Sequence, residues 1–388
     1  MIYLDYGATT PVRKEVLEAM LPYFSDKFGN PGSMHQKGLE VKNALDQARH
    51  KVAEIINCKA DEVIFTSSGT ESINMAIKAV ARAVKARGKH IITSAVEHHA
   101  VLDSVNYMKE EGFDVTILPV DREGLVDPQE LRKAIRDDTI LISIMYANNE
   151  IGSINDIREL AKIAKEKSIL FHTDACQAAS YCDITVDNID MLTLDGGKIY
   201  GPKGVGILYI KEGTPMKKFL HGGSQENNRR AGTENVPYIV GFAKALELTQ
   251  LDRKKEIMRL EHLRDKLIQG ILQTIPDSFL NGHPTQRLPN NVNITILNVE
   301  GESVLLKLNE VGICASTGSA CNSKTLEASH VITALNLPYE AAHGAIRLTL
   351  GKQTTEQEIN KVLEVLPSIV EDLRKISPTN IKKEDMGR

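Results

Sequence analysis

Six short apolar runs rich in Ile, Val and Leu, at residues 63–66, 90–94, 115–119, 140–145, 169–174 and 191–194, are separated by stretches with helical spacing. Runs that are apolar throughout, rather than alternating, belong to strands buried on both faces, and helices between such strands cover both sides of a mostly parallel sheet. Segments 42–56 and 157–167 carry the helical periodicity, with Asp156 placed to cap the second. Residues 237–275 hold no further Pro and are rich in Leu, Glu, Lys and Arg, which predicts one long helix. Its charged middle, 252–255, is where we place a crossing between two lobes. The second lobe should hold strands at 291–297, 313–316 and 345–349, a helix at 302–309 and a last amphipathic helix at 355–375, with a charged, frayed tail over 382–388. At 388 residues the chain is long enough for two domains.

Composition excludes several classes. A net charge of −4 without a basic stripe gives no field for nucleic acid. The longest apolar runs fall far short of the ~20 residues a bilayer span needs, and Met1–Asp5 enters an apparent strand with no basic or apolar leader, so a cytoplasmic protein is expected. The five cysteines, Cys58, Cys176, Cys182, Cys314 and Cys321, form no Cys-x-x-Cys pair, which argues against a disulfide framework or a zinc site.

The chemistry concentrates in six places along the chain. In Gly197-Lys198-Ile199-Tyr200-Gly201-Pro202-Lys203-Gly204 a lysine follows a strand among residues that let the backbone crowd a ligand. An isolated Lys198 reads as a surface lysine, but this setting makes it a candidate Schiff-base lysine, its amine suited to act also as a general base. Asp174 closes an apolar strand, where a lone Asp is more often a turn cap; paired with Lys198 it is the carboxylate that pyridoxal phosphate (PLP) requires at its ring nitrogen. The turn Ser67-Ser68-Gly69-Thr70-Glu71, between a strand and a helix, is equally a phosphate cradle or an ordinary cap. Cys321, in the Ser/Gly/Ala/Asn-rich stretch 316–323, suits an exposed, mobile thiolate, whereas Cys314 beside Val311–Ile313 reads as buried and inert. Arg347, on an apolar strand, is either a bidentate clamp for a carboxylate or half of an internal ion pair. In Glu97-His98-His99 adjacent histidines share no face, which argues against a joint metal site, and a lone loop histidine is more often structural, so a role for one of them rests on the resemblance below.

These segments, with Tyr3-Leu4-Asp5-Tyr6-Gly7-Ala8-Thr9-Thr10-Pro11, Phe28-Gly29-Asn30-Pro31, Asn148-Asn149-Glu150-Ile151-Gly152 and Arg230-Ala231-Gly232-Thr233, resemble the cysteine desulfurases of the NifS/IscS type over nearly the whole chain. The likeness is to the class with a long cysteine loop rather than the SufS-like class. It implies the α/β aspartate-aminotransferase-like fold, PLP fold type I. A large PLP domain would span residues 12–255, and a small α+β domain would be built from 1–11 and 256–388, with the cysteine loop at about 316–330. It implies a homodimer, PLP as cofactor, L-cysteine as substrate, and an IscU-like iron-sulfur scaffold protein as sulfur acceptor. By the resemblance Lys198 holds the cofactor aldehyde, Asp174 the ring nitrogen, Gln177 and Asn149 the phenolic oxygen, and Gly69 and Thr70 the phosphate. His98 stacks on the ring, Thr233 comes from the other subunit, Arg347 with Asn149 takes the substrate carboxylate, and Cys321 receives the sulfur as a persulfide.

The chain departs from the family pattern Ser-x-His-Lys, reading Asp195-Gly196-Gly197-Lys198. Both phosphate-contacting side chains are thereby absent, and an ionised Asp195 beside a phosphate would be repelled by roughly 1 kcal/mol if solvated. The alternative functions are a related fold-type I enzyme, such as a selenocysteine lyase or an aminotransferase, or a sulfur-relay partner with an impaired PLP site.

Overall fold

The computed structural model describes residues 1–318, 328–378 and 380–382. Cys321 and the end of the charged tail lie outside the described residues. The strands are β1 (Ile2–Tyr3), β2 (Val63–Thr66), β3 (His90–Ser94), β4 (Asp114–Leu118), β5 (Thr139–Ser143), β6 (Leu170–Asp174), β7 (Met191–Asp195), β8 (Gly206–Ile210), β9 (Ser278–Leu280), β10 (Asn291–Ile296), β11 (Ile313–Cys314) and β12 (Ala345–Thr349). Seven of them form one sheet in the order β2-β8-β7-β6-β5-β3-β4. All six expected runs are strands of this sheet, and the run expected to end at 145 leaves it at Ser143, so that Ile144 and Met145 are buried beyond the strand.

Two strands were not anticipated: β9 in the second lobe and, in this sheet, β8, which runs antiparallel to both β7 and β2 while the other pairings are parallel. Its register sets Asp195 opposite Gly206, so residues 196–205 are the return between two neighbouring strands. Gly204 takes φ +84°, open to glycine at little cost. Gly206 lies so close to the next segment that a Cβ would stand 2.7 Å from the Ser68 carbonyl carbon and 2.9 Å from the Gly69 nitrogen. The lysine-bearing return and the Ser67–Glu71 turn are thus pressed together by the backbone.

The helix Val236–Thr274 matches the expected 237–275. Its first half buries Ile239, Phe242 and Leu246 in the core that includes Val52, Phe65 and Leu194. Its second half buries Leu260, Leu263, Leu267 and Ile271 in a separate core with Val292, Ile294, Ile346, Leu348 and Val362. At the charged middle Asp252 meets Arg13 at 2.9 Å and also Lys352, so one carboxylate joins residues from both ends of the chain. Around the second core β9, β10 and β12 form an antiparallel sheet, and β1 pairs in parallel with β11. Leu4 joins this core, which ties the N-terminal segment to the C-terminal lobe. The last helix, Glu356–Lys375, opens with Thr355 and Glu358 in a reciprocal capping box. No helix among the described residues is long and apolar enough to cross a membrane.

Candidate active site

Strands β2, β3, β5, β6 and β7 all end at one edge of the sheet, and in open α/β sheets ligands sit beyond the carboxyl ends of the strands. There a cavity of about 280 Å³ is lined by Gly69 and Thr70 after β2, Glu97, His98 and His99 after β3, Asn149 and Glu150 after β5, Asp174 and Gln177 from β6 onward, and Lys198 after β7. Gly7 and Ala8 cross it from the N-terminal segment, and Gly318, His330 and Arg347 reach it from the second lobe. Eight of the expected site residues therefore converge on one cavity: Lys198, His98, Gly69, Thr70, Asn149, Asp174, Gln177 and Arg347. Thr233 does not; it lies exposed on another segment of its own chain.

Lys198 Nζ donates to the carbonyls of Gly7 at 3.1 Å and Ala8 at 2.5 Å, and Gln177 Nε2 donates to Gly7 O at 2.9 Å. The N-terminal crossing therefore positions both side chains. Asp174 is 7 % exposed, and its Oδ1 accepts from the Cys176 amide at 3.0 Å. His98 caps the helix His99–Glu110, its Nδ1 accepting from the Ala100 amide at 3.0 Å. That bond leaves Nε2 as the protonated nitrogen of the neutral ring. Burial lowers the His98 pKa, with Lys198 and His99 acting in the same direction and Asp174 opposing.

Arg347 is 2 % exposed on β12. Its Nη2 pairs with Asp5 at 2.8 Å, and its Nη1 donates to Gly318 O at 2.7 Å and to Asn149 O at 3.1 Å. Its Nε is buried with no partner. Both readings of this arginine thus have something in the structure: the internal ion pair is formed, and the side chain still lines the cavity with one donor unsatisfied.

Four further residues on the wall carry no assignment from the sequence. Glu97 is fully buried, and its Oε1 accepts from Ser94 Oγ at 2.6 Å and from the Met145 amide at 2.8 Å. Its Oε2 has no partner, and burial raises its pKa to about 8. His330 donates from Nε2 to Glu97 O at 2.9 Å and packs on His99 with ring centroids 4.7 Å apart. Glu150, 2 % exposed, accepts from Ser329 Oγ at 2.5 Å. Glu97 and His99 adjoin His98, and Glu150 lies inside the Asn148–Gly152 motif. Their roles depend on which way each side chain turns, which has no signal in one sequence. His330 had none at all.

A family model for class-V aminotransferases matches residues 2–362. The cysteine desulfurase IscS of Dictyoglomus turgidum is 57 % identical over 379 residues, covering 97 % of this chain and 96 % of that protein. The cysteine desulfurase IscS of Methanosarcina thermophila is 56 % identical over 384 residues, 98 % and 95 % of the two chains. This chain belongs to the class-V aminotransferases, among the IscS-type cysteine desulfurases. A solved NifS-like protein superposes with a TM-score of 0.90 at 36 % identity, covering 96 % of this chain and 99 % of that one. A structure of SspA in complex with cysteine gives 0.79 at 36 %, covering 90 % and 99 %. The class-V, fold type I architecture expected from the sequence is therefore the one present.

A desulfurase needs a thiol that ionises. Burial raises the thiol pKa of Cys58 and Cys182 to about 12 and that of Cys176 well above its usual value, and the thiolate is the nucleophile. Cys176 packs against Gly69, where a Cβ would stand 2.9 Å from its Sγ. Cys314 is half-buried rather than buried as expected. The two flanks of the segment that carries Cys321 both reach the cavity wall, Gly318 through Arg347 and Ser329 through Glu150.

Proposed function

We propose that this desulfurase uses PLP to convert L-cysteine to L-alanine, leaving the sulfur as a persulfide on Cys321. The observation that carries the reading is the convergence of Lys198, Asp174, His98 and Arg347, from four separated stretches of chain, on one cavity flanked by the ends of the Cys321 segment. The residues present fit the cofactor: an amine at a strand-end turn, a carboxylate on the neighbouring strand, an imidazole on the wall and a helix start. Lys198 would hold the aldehyde, Asp174 the ring nitrogen, Gln177 and Asn149 the phenolic oxygen, His98 the ring face, and Gly69 and Thr70 the phosphate. When bound, PLP supplies an electron sink for charge developing on the substrate carbon.

The chain's own groups then account for the rest. Lys198 Nζ is the base for the Cα proton, held by two carbonyls that keep it in the site. Arg347 with Asn149 would orient the substrate carboxylate, the unpartnered Nε being the donor that gains most. His98 Nε2 is the atom free to pass a proton. The Cys321 thiolate attacks the substrate sulfur: an S–S bond forms as the Cβ–S bond breaks, and the electron pair returns to the substrate carbon, which takes up protons and leaves as alanine. Enzyme thiol plus cysteine give enzyme persulfide plus alanine, and no outside oxidant or reductant is needed.

We further propose that the protein divides into lobes 12–255 and 1–11 with 256–388, and works as a cytoplasmic homodimer that passes its sulfur to an iron-sulfur scaffold protein of the IscU kind. Support for the dimer is a series of exposed large apolar side chains in the N-terminal region, with Leu21, Phe24, Phe28 at 69 % and Met34 at 95 % exposure, which a second copy would cover. Thr233, exposed here, would then serve the partner's phosphate site. The free state of the four described cysteines fits a reducing compartment.

The test is the visible spectrum of the PLP-loaded protein before and after L-cysteine, with alanine and sulfide quantified under reductant. Equal alanine and sulfide, lost in Cys321→Ser while the cofactor band persists, is the expected result. A keto acid in place of alanine, or turnover of selenocysteine alone, rejects the reading.

A further inference from the structure

The Asp195 carboxylate, which lines the cavity, is bound by backbone amides: its Oδ2 accepts from Gly69 N–H at 2.9 Å and its Oδ1 from Gly197 N–H at 2.8 Å. Gly69 opens a helical stretch that continues through Met75–Ala79 to Val84. Its amide is one of the donors a helix start offers to an anion. Among the described residues no lysine, arginine or histidine forms an ion pair with Asp195, so its charge is met by N–H dipoles. The same turn spends a second amide internally, since Ser67 N–H donates to Glu71 Oε2 at 2.6 Å and Glu71 is held in turn by Arg230 at 2.9 Å. Gly206 admits no Cβ beside Ser68 and Gly69, so the turn is packed closely against the start of β8.

We infer that Asp195 is an internal anion occupying the phosphate cradle, which the cofactor's phosphate must displace in order to bind. The inference rests on the PLP reading above and adds a consequence to it. The cofactor-free protein is self-capped at this helix start, its affinity for PLP is reduced by the exchange of one anion for another, and small free anions are excluded from the cradle. Asp195 thus acts as a positioning residue that sets how readily the cofactor loads.

The experiment measures PLP binding to cofactor-free protein by absorbance titration, and the thermal midpoint of the same protein with and without millimolar inorganic phosphate. Wild type is compared with Asp195→Ser and with the near-isosteric Asp195→Asn, which keeps one acceptor oxygen and guards against a folding defect. Removing the charge should tighten PLP binding roughly tenfold or more. Inorganic phosphate should raise the midpoint of both variants and leave the wild type unmoved. Equal or weaker PLP binding by both variants, or wild-type protein stabilised by phosphate as much as they are, overturns the inference and leaves the proposed function standing. Failure of wild type and both variants to take up PLP, with Lys198→Ala indistinguishable from them, overturns the inference and the PLP reading together.

Discussion

Glu97→Gln should make the protein more stable at alkaline pH. The Glu97 carboxyl is 0 % exposed, and its pKa rises from 4.5 to about 8 chiefly by desolvation. Between those values the folded state keeps a proton that the unfolded state has released, so stability is full below about pH 4.5 and declines as pH climbs toward 8. Each pH unit between the two values corresponds to roughly 1.4 kcal/mol, so the full difference is on the order of 5 kcal/mol, a ceiling that local relaxation lowers. Glutamine carries no titratable proton, and its Oε1 can still accept from Ser94 Oγ and the Met145 amide. Urea unfolding of cofactor-free wild type and Glu97→Gln at intervals from pH 5 to 9 reads the effect. The two should differ little near pH 5, and the variant should lead by several kcal/mol at pH 9. Parallel curves across that range would refute the argument, because they would mean that the buried carboxyl is charged at neutral pH or finds a compensating donor.

Arg347→Lys keeps the charge but breaks the set of contacts to Asp5, Asn149 and Gly318; kcat/KM for L-cysteine should fall about a hundredfold or more, as expected for a truncated buried charge pair. Gly206→Ala should cost about 1–3 kcal/mol of stability, since the new methyl meets backbone within 3 Å on two sides, and it should weaken PLP binding by moving Gly69; thermal unfolding and titration check the two effects. Mass spectrometry after L-cysteine should find the extra sulfur on Cys321, and Cys58→Ser and Cys182→Ser should retain sulfide production because burial holds both thiols un-ionised.

Five of the six strands were legible because a strand covered on both faces is apolar throughout, the edge strand β4, largely open to solvent, showed through its Val, Ile and Leu, and the long helix was legible because 39 residues pass without an internal break. The run Gly-Ile-Leu-Tyr-Ile of β8 carries the same apolar signal as its neighbours and was passed over, while its reversed direction has no signal in the sequence and emerges only from its pairing with β7 and β2. Cys314 looked buried beside Ile313, yet at the end of a two-residue strand its side chain is half open to solvent.

Residue type and local order alone nominate the amine, the carboxylate, the arginine and the thiol, because few other side chains can perform their chemistry and each stands at a strand end, in a small-residue turn or as a lone charge on an apolar strand, whereas the imidazole came only from the family resemblance. The partners of those groups are a different matter. Lys198 rests on Gly7 and Ala8, about 190 positions away in the chain, and Arg347 on Asp5, 342 positions away. Asp195 meets Gly69 across 126. Contacts of that range are set by how the sheet, the N-terminal crossing and the second lobe pack, and the charge state of Glu97 follows from a desolvation that arises only once that packing has closed around it.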